Sequence, residues 1–569
     1  MSNLLKVRHF LVPDDEMHAN IFEVGRIKSL QELRRFKMGK ESQGFELWQI
    51  GNLVELCGSF SVDNLENVEG REEAEETKLI HKKHVQELIF TWNVERPNKD
   101  PAREEQVLQG LKPHSNLLKL IIKGHGGANC PSWLVGLNLS VENLESLCLD
   151  GVAWETFPPI GELRLVNKNV EEISSNINGR YFNNMKRIEP VNLPRLESWV
   201  VGSTVTVGQL MSHLEVLIIR RCYELVELCF SISTCSQQEQ NASKFPRLQD
   251  LRIDDCPKLL SLPPVPWSNA QCSVQISGVR GLGFEYLQYG NDSYEHVLFL
   301  KIFGNDHTQD MAFWTTLDFD KLTRIEKLAM EKCPPLPLDA LQKLSTTVKV
   351  LDISEMNMLS GKELTQMLSF MWKLSELQIQ RCEKIRALGV LEQQEEEIAP
   401  PDELLLLPPQ LEKLYIRHFP ELSVGPDSPH GGNGRGLQSF FMEWRRWCLS
   451  QTVSLTDLRI DGCGGSRGMG LGRLLAHGCL HKLSVLSTPN FFSIECSKED
   501  TAEMLEQGSS LPPSFNLESL RTDDIAAVLA APICALLFSS LTTLTFDDNK
   551  EIECFTKEQG EAIELLTSD

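Results

Sequence analysis

The chain has 569 residues, 24% charged and 41% hydrophobic, with 79 acidic against 56 basic side chains and a formal net charge of −23. Those proportions are ordinary for a soluble globular protein, and the acidic balance argues against a general nucleic-acid binder, because a phosphate backbone needs a basic surface. Sixteen cysteines are too few for a disulfide scaffold, no stretch reaches the roughly 18 apolar residues that span a membrane, and the N-terminus has no signal-peptide core.

Residues 1–52 read as an irregular N-terminal cap, with a strand-like start from Leu4 to Val12 and a helical run from Ile27 to Phe36. From residue 53 to 230 an apolar spacing recurs: Val85/Leu88/Phe90, Leu117/Leu120/Ile122, Leu144/Leu147/Leu149, Met185/Ile188 and Leu214/Leu217/Ile219. Between them, residues 69–84 read as one exposed charged helix, acidic at its start and basic at its end as the helix dipole favours. Pro97 to Pro101 reads as a loop. Residues 231–244 are a polar insertion. Residues 245–391 resume the spacing at Leu248/Leu251/Ile253, Val297/Leu300/Ile302, Ile325/Leu328/Met330, Val348/Leu351/Ile353 and Leu374/Leu377/Ile379. Residues 392–454 hold one copy, Leu411/Leu414/Ile416, among an acidic stretch (392–403), a Gly/Pro-rich stretch (425–436) and an aromatic–arginine cluster from Phe440 to Trp447 that reads as an amphipathic helix. Residues 455–555 carry Leu455/Leu458/Ile460, Leu483/Leu486, Leu517/Leu520 and Leu541/Leu544/Phe546, with a Gly-rich insertion over 464–482. Residues 556–569 read as a short capping helix.

Five copies end in a cysteine three residues after the last aliphatic: Cys222, Cys256, Cys333, Cys382 and Cys463. Asn93 and Asn549 take that place in two others, and the remaining copies read as having lost the polar position. This is the leucine-rich repeat pattern, one short parallel strand per repeat. The expected fold is therefore an α/β solenoid: a leucine-rich repeat horseshoe with a parallel sheet on its concave face and irregular loops and short helices on its convex face. The repeat cysteines should be buried, each thiol making a weak bond to a loop carbonyl.

Catalytic and cofactor signals are absent. Gly39-Lys40 and Gly361-Lys362 are each followed by Glu and lack the glycine five residues earlier that a phosphate-binding loop requires. Gly278, Gly281 and Gly283 have the wrong spacing for a dinucleotide fingerprint. Cys463, His477, Cys479 and His481 lack the paired spacing of a zinc site. No catalytic residue, cofactor or metal is expected.

What varies between copies is the set of side chains that should face the concave groove. Those chosen as partner-binding are Lys119, Lys123, Arg220, Arg221, Arg252, Asp254, Gln378, Gln380, Arg381, Tyr415, Arg417, Arg459 and Asp461. Arg and Tyr are favoured at interface hot spots, and the mixed signs suit a protein better than a polyanion.

The stretches 53–93 (LVELCGSFSVDNLENVEGREEAEETKLIHKKHVQELIFTWN), 107–134 (VLQGLKPHSNLLKLIIKGHGGANCPSWL), 245–266 and 555–568 resemble the repeat region of plant, grass-type intracellular disease-resistance receptors. Those receptors combine a coiled coil, a nucleotide-binding switch domain and leucine-rich repeats. Neither of the first two is recognisable here, so the resemblance implies the sensor half of such a receptor. It implies a non-catalytic recognition module of innate immunity that senses pathogen effectors or guarded host proteins, or contacts a nucleotide-binding switch domain. The implied location is the cytosol or nucleus. The alternatives are the substrate-recognition repeats of a ubiquitin-ligase adaptor and a receptor fragment without function.

Overall fold

The computed structural model describes residues 6–158 (except 11, 13, 40–43 and 136–138), 162–165, 184–199, 207–210, 213–228, 245–305 (except 261, 269–271 and 293), 311–385, 408–419, 454–463, 474–475, 478–489, 491–492, 516–524, 528, 540–547 and 557. They fall into two units, Met1–Gly290 with Thr316–Asp318, and Asn291–Thr315 with Phe319–Asp569.

In the first unit, parallel strands follow one another as Arg35–Lys37, Cys57–Asp63, His84–Thr91, Lys119–Lys123, Ser146–Asp150, Arg187–Val191, Val216–Arg220, Asp250–Asp254 and Ser273–Ser277. Phe284–Asn291 then turns back and pairs antiparallel with Ser273–Ser277, a hairpin at the end of this parallel run, and Glu162–Leu165 pairs antiparallel with Val207–Leu210 in a separate two-stranded sheet. In the second unit, Leu298–Gly304, Lys327–Glu331, Val350–Ser354, Glu376–Gln380, Lys413–Arg417, Asp457–Asp461, Lys482–Leu486, Ser519–Thr522 and Thr543–Phe546 are parallel neighbours throughout. Most strands bury their two pattern residues and show the alternate ones, as a period of two requires. Leu217, Ile219, Leu251, Ile253, Leu377 and Ile379 are all at most 1% exposed. The fold is the expected leucine-rich repeat solenoid.

The residue after most of the strands does a common job. Asn192, Arg221, Asp255, Lys332, Glu355, Arg381, His418 and Ser487 all have φ between 49° and 56°, and Gly124, Gly151, Gly278 and Gly462 are also positive. This left-handed turn lets the N–H extend the ladder by one bond: Arg221 donates to Asp254 O (2.8 Å), Arg381 to Arg417 O (3.1 Å) and His418 to Asp461 O (2.7 Å). The next residue then drops into the core. There the five repeat cysteines are at most 2% exposed. Their Sγ atoms lie 3.2–3.5 Å from the carbonyl two residues back, on Arg220, Asp254, Glu331, Gln380 and Asp461.

Several local expectations are corrected. Ile27 to Phe36 is no helix: Val24–Arg26 is one 3₁₀ turn and Arg35–Lys37 a strand. Leu33, Phe36 and Met38 are buried as another copy of the repeat. Their spacing of three matches a helix stripe equally well, and pairing with Val62's strand decides it. Residues 6–10 form no strand. The charged stretch 69–84 splits into the helix Arg71–Glu75 and a 3₁₀ turn Leu79–His81. Lys82 is only 2% exposed and donates to Ile50 O (2.8 Å) and Leu53 O (2.7 Å), closing the chain end after the helix Trp48–Gly51. Burial lowers its ammonium to about 8. Pro101 belongs to a helix, Pro101–Gly110, as its first residue, with Asp100 accepting from Arg103 N at 3.1 Å. Asn93 does not take the buried cysteine position. It is exposed, and its Oδ1 accepts from Glu95 N.

The copy beginning at Leu117 has not lost its polar position, because His125 fills it at 0% exposure. Its ring lies edge-on between Trp92 (centroids 4.9 Å) and Trp154 (6.1 Å). Trp154 Nε1 donates to its Nδ1 at 3.1 Å, so the neutral ring carries its proton on Nε2. Gly124 just before it has φ +71°, and a Cβ there would sit 2.5 Å from Trp92 O. Burial lowers the imidazole to about 4 from its usual 6.5. Between those values the unfolded chain takes up a proton that the folded chain refuses. Stability from this site is therefore complete above pH 6.5 and falls by roughly 3 kcal/mol as pH drops toward 4. Urea unfolding at pH 7 and 4.5 should show a larger loss for the native chain than for His125→Gln. Equal losses would reject the assignment.

Copies with Thr instead of Cys were also missed: Thr488, 2% exposed, accepts from Cys463 N at 3.3 Å and donates to Leu486 O at 2.8 Å. The insertions over 231–244, 392–403 and 425–436, the cluster from Phe440 to Trp447, most of 464–482 and all but residue 557 of the capping segment lie outside the described residues.

Candidate functional site

Three successive strands of the second unit bring the chosen residues into one grid. Register aligns Glu376, Lys413 and Asp457 in a first row, Gln378, Tyr415 and Arg459 in a second, and Gln380, Arg417 and Asp461 in a third. The Arg459 guanidinium lies 4.6 Å over the Tyr415 ring. Its Nε and Nη2 donate to Asp457 Oδ1 (3.1 Å) and Oδ2 (2.9 Å), and Tyr415 Oη donates to Asp457 Oδ2 at 3.4 Å. Asp457 is 6% exposed, so the arginine stands on a buried carboxylate and a flat ring. Burial, then the Asp457 charge, pushes the Tyr415 phenol up to about 12, and the bond to Asp457 raises the Arg459 guanidinium. On the neighbouring strand Gln378 Nε2 donates to Glu376 Oε1 at 2.8 Å, and Lys413 Nζ pairs with Glu376 Oε2 at 3.2 Å. The cluster is held before any partner arrives, which reduces the ordering cost of binding.

Tyr415 is the exception to the expected exposure: at 8% it is buried, because Arg459 covers its ring. Ile218 is likewise buried at a variable position. Arg381 and Arg221 occupy the left-handed turn beyond the strand, and Arg381 Nη1 pairs with Glu355 Oε1 at 3.0 Å. In the first unit, Lys119 Nζ pairs with Glu87 (2.7 Å), Arg252 with Asp250 (2.9 Å), and Asp254 Oδ1 accepts from Ser277 Oγ. Arg220 and Asp254 are direct neighbours in register. Lys123 is exposed and makes no ion pair with a described residue. The acids that organise the grid, Glu376 and Asp457, were not among the chosen residues. They occupy the first strand position, immediately before a pattern leucine, and that placement is the signal that could have found them.

Among the described residues no group of three or more His, Cys, Asp or Glu side chains is placed to hold a metal ion. No helix among them is long and apolar enough to cross a membrane. An array of short parallel strands presenting variable side chains is a leucine-rich repeat scaffold, a fold that typically binds rather than catalyses.

Comparison with known proteins agrees. Residues 47–171 match the family profile described as R13L1/DRL21 LRRs. The disease resistance protein RGA2 of Solanum bulbocastanum is 28% identical over 268 residues, covering 42% of this chain and 27% of that protein. RGA4 of the same species is 32% identical over 162 residues, covering 27% of this chain and 15% of its own length. The RPP13-like protein 1 of Arabidopsis thaliana is 27% identical over 209 residues, 32% of this chain and 20% of that one. Among solved structures, the crystal structure of the TLR13-ssRNA13 complex aligns over 94% of this chain and 57% of that chain, at TM-score 0.33 and 13% identity, too distant to carry weight. This chain is thus a leucine-rich repeat region, homologous over part of its length to plant disease resistance proteins, and it spans from 15% to 27% of the length of these three relatives.

Proposed function

We propose that this chain is a non-catalytic recognition module of plant innate immunity. It acts in the cytoplasm and senses a pathogen effector or a guarded host protein through the open face of its repeats. Relatives named as disease resistance proteins support the setting. The observation that carries the mode of action is the Tyr415–Asp457–Arg459 cluster, a preorganised arginine anchored on a buried carboxylate and an aromatic ring. Such anchors dominate binding energy in protein interfaces. Four further candidates, Gln378, Gln380, Arg417 and Asp461, surround it and supply complementarity.

The test is affinity capture from infected and uninfected leaf tissue with the native chain and with Arg459→Ala. A protein retained in proportion to infection, and weakened about 30-fold or more by a substitution that leaves the fold intact, is the expected result. Retention unchanged by Arg459→Ala would reject this surface.

A further inference from the structure

The strand Cys57–Asp63 is one residue short against its neighbour, so that Gln86 of His84–Thr91 is left without a pairing partner. Its pairing with His84–Thr91 slips between Gly58 and Ser59, a β-bulge. Gly58 has φ +75°, and no atom lies within 4 Å of the place a Cβ would occupy, so the space above it is open. A cavity of about 490 Å³ lies over this bulge on the open face of the first unit. That is within the range of roughly 300–1,000 Å³ found for ligand sites. Ser59, Ser61, Ile89 and Thr91 line it from the strands.

Its charges can be accounted for one by one. Arg34 bonds Glu32 (2.8 Å) and Asp15 (3.3 Å), and Arg35 bonds Glu16 (2.7 Å) and Asp63. His9 Nδ1 lies 3.6 Å from Glu32. Among the described lining residues, Lys123 alone is a charged group that makes no ion pair, and Asp150, its neighbour in register on the next strand, stays beyond ion-pair distance. A dianionic phosphate fits poorly, because both guanidiniums are already shared between carboxylates that would repel it. One carboxylate suits the single unmatched ammonium. Beside Lys123, Ile89, Ile121 and Cys148 are half-buried and lie in register on three adjacent strands. At about 4.8 Å per strand, this apolar strip runs across the sheet for about 10 Å, longer than one side chain.

We propose that this cavity binds an extended peptide segment of a protein partner in which one acidic side chain is flanked by aliphatic residues. The carboxylate pairs with the Lys123 ammonium, and an aliphatic neighbour covers Ile89 and Ile121. The site lies in the first unit, does not use the Tyr415 cluster, and stands or falls separately from it.

The experiment titrates the full chain with Ac-Leu-Glu-Leu-NH2, Ac-Leu-Gln-Leu-NH2 and isovaleric acid, following backbone amide shifts or heat. The native chain should bind the Glu peptide at least tenfold more tightly than the Gln peptide. Lys123→Met should abolish that preference, and Ser59→Trp, which fills the cavity from an exposed position, should abolish binding. Arg459→Ala should leave all of this unchanged, so failure here is distinguishable from failure at the other surface. No binding, equal binding of the two peptides, a preference that survives Lys123→Met, or isovaleric acid binding as tightly as the peptide would each overturn the proposal.

Discussion

Replacing Glu104 by Gln is expected to destabilise the first unit by about 3–5 kcal/mol, among the largest effects of any single substitution in the chain. Glu104 lies on the helix Pro101–Gly110 and Arg96 on the preceding loop, with side chains 3% and 4% exposed. Both Nε and Nη2 of Arg96 donate to the Glu104 carboxylate, which also accepts from Gly126 N at 2.6 Å. Arg96 Nη1 completes the set by donating to Gly124 O at 3.1 Å and to Asn93 O. Both carboxylate oxygens of Glu104 and all three guanidinium nitrogens of Arg96 have partners, so the pair binds the helix, the loop and the following repeat together. A glutamine keeps the shape but leaves the guanidinium charge buried without its counter-ion. The double replacement Arg96→Met with Glu104→Leu should cost clearly less than the sum of the two single ones, because no unpaired charge remains. Denaturant unfolding of the native chain, Glu104→Gln, the two single replacements and the double one measures both quantities. A loss below about 1 kcal/mol for Glu104→Gln would show that water reaches the pair.

Cys256→Asp is expected to be nearly as damaging, costing about 3 kcal/mol or more at neutral pH, whereas Cys256→Asn should cost about 1–2. The thiol is 0% exposed. It bonds the Cys222 thiol of the preceding repeat, faces an acceptor, Asp254 O at 3.5 Å, and lies against the Cys222 backbone N–H. An amide can answer both, donating to the carbonyl and accepting from the N–H. A carboxylate can answer only the second, and it holds its charge against the first. The Asp variant should recover part of its loss as pH falls, since protonation restores a donor. Comparing denaturation midpoints of the two variants at pH 7 and 5 tests this. Equal midpoints at pH 7 would mean that the position is open to water.

The repeat strands were legible because burial on a parallel strand imposes a period of two, and the turn into the core imposes a small group three residues later. Leu217, Ile219 and Cys222 satisfy both rules within a single short stretch of chain. Where the period was disturbed, legibility ended. Beside the bulge at Gly58 the buried Leu56 lies four residues before the buried Phe60, so this copy is hidden from a pattern that allows three. The i, i+3 spacing of Ile27, Leu30, Leu33 and Phe36 satisfies a helix and a repeat alike, and only strand pairing separates them. The charged run 69–84 hid a buried lysine, because a lysine stem can pack while its ammonium reaches carbonyls of another repeat.

The candidate surfaces divide along the same line. That Tyr415, Arg459 and Gln378 face one side follows from their positions relative to the leucines. That Tyr415 lies under Arg459, and that Asp457 holds both, depends on register between strands 42 residues apart in the chain. Likewise Lys123 is exposed by its place in the strand, but its lack of a partner depends on how Arg34 and Arg35 share the nearby acids. Local spacing decides which side chains are buried, since that needs only the backbone's own period. Which charges pair, and which one is left for a partner, is decided by distances between repeats that only the folded chain brings together.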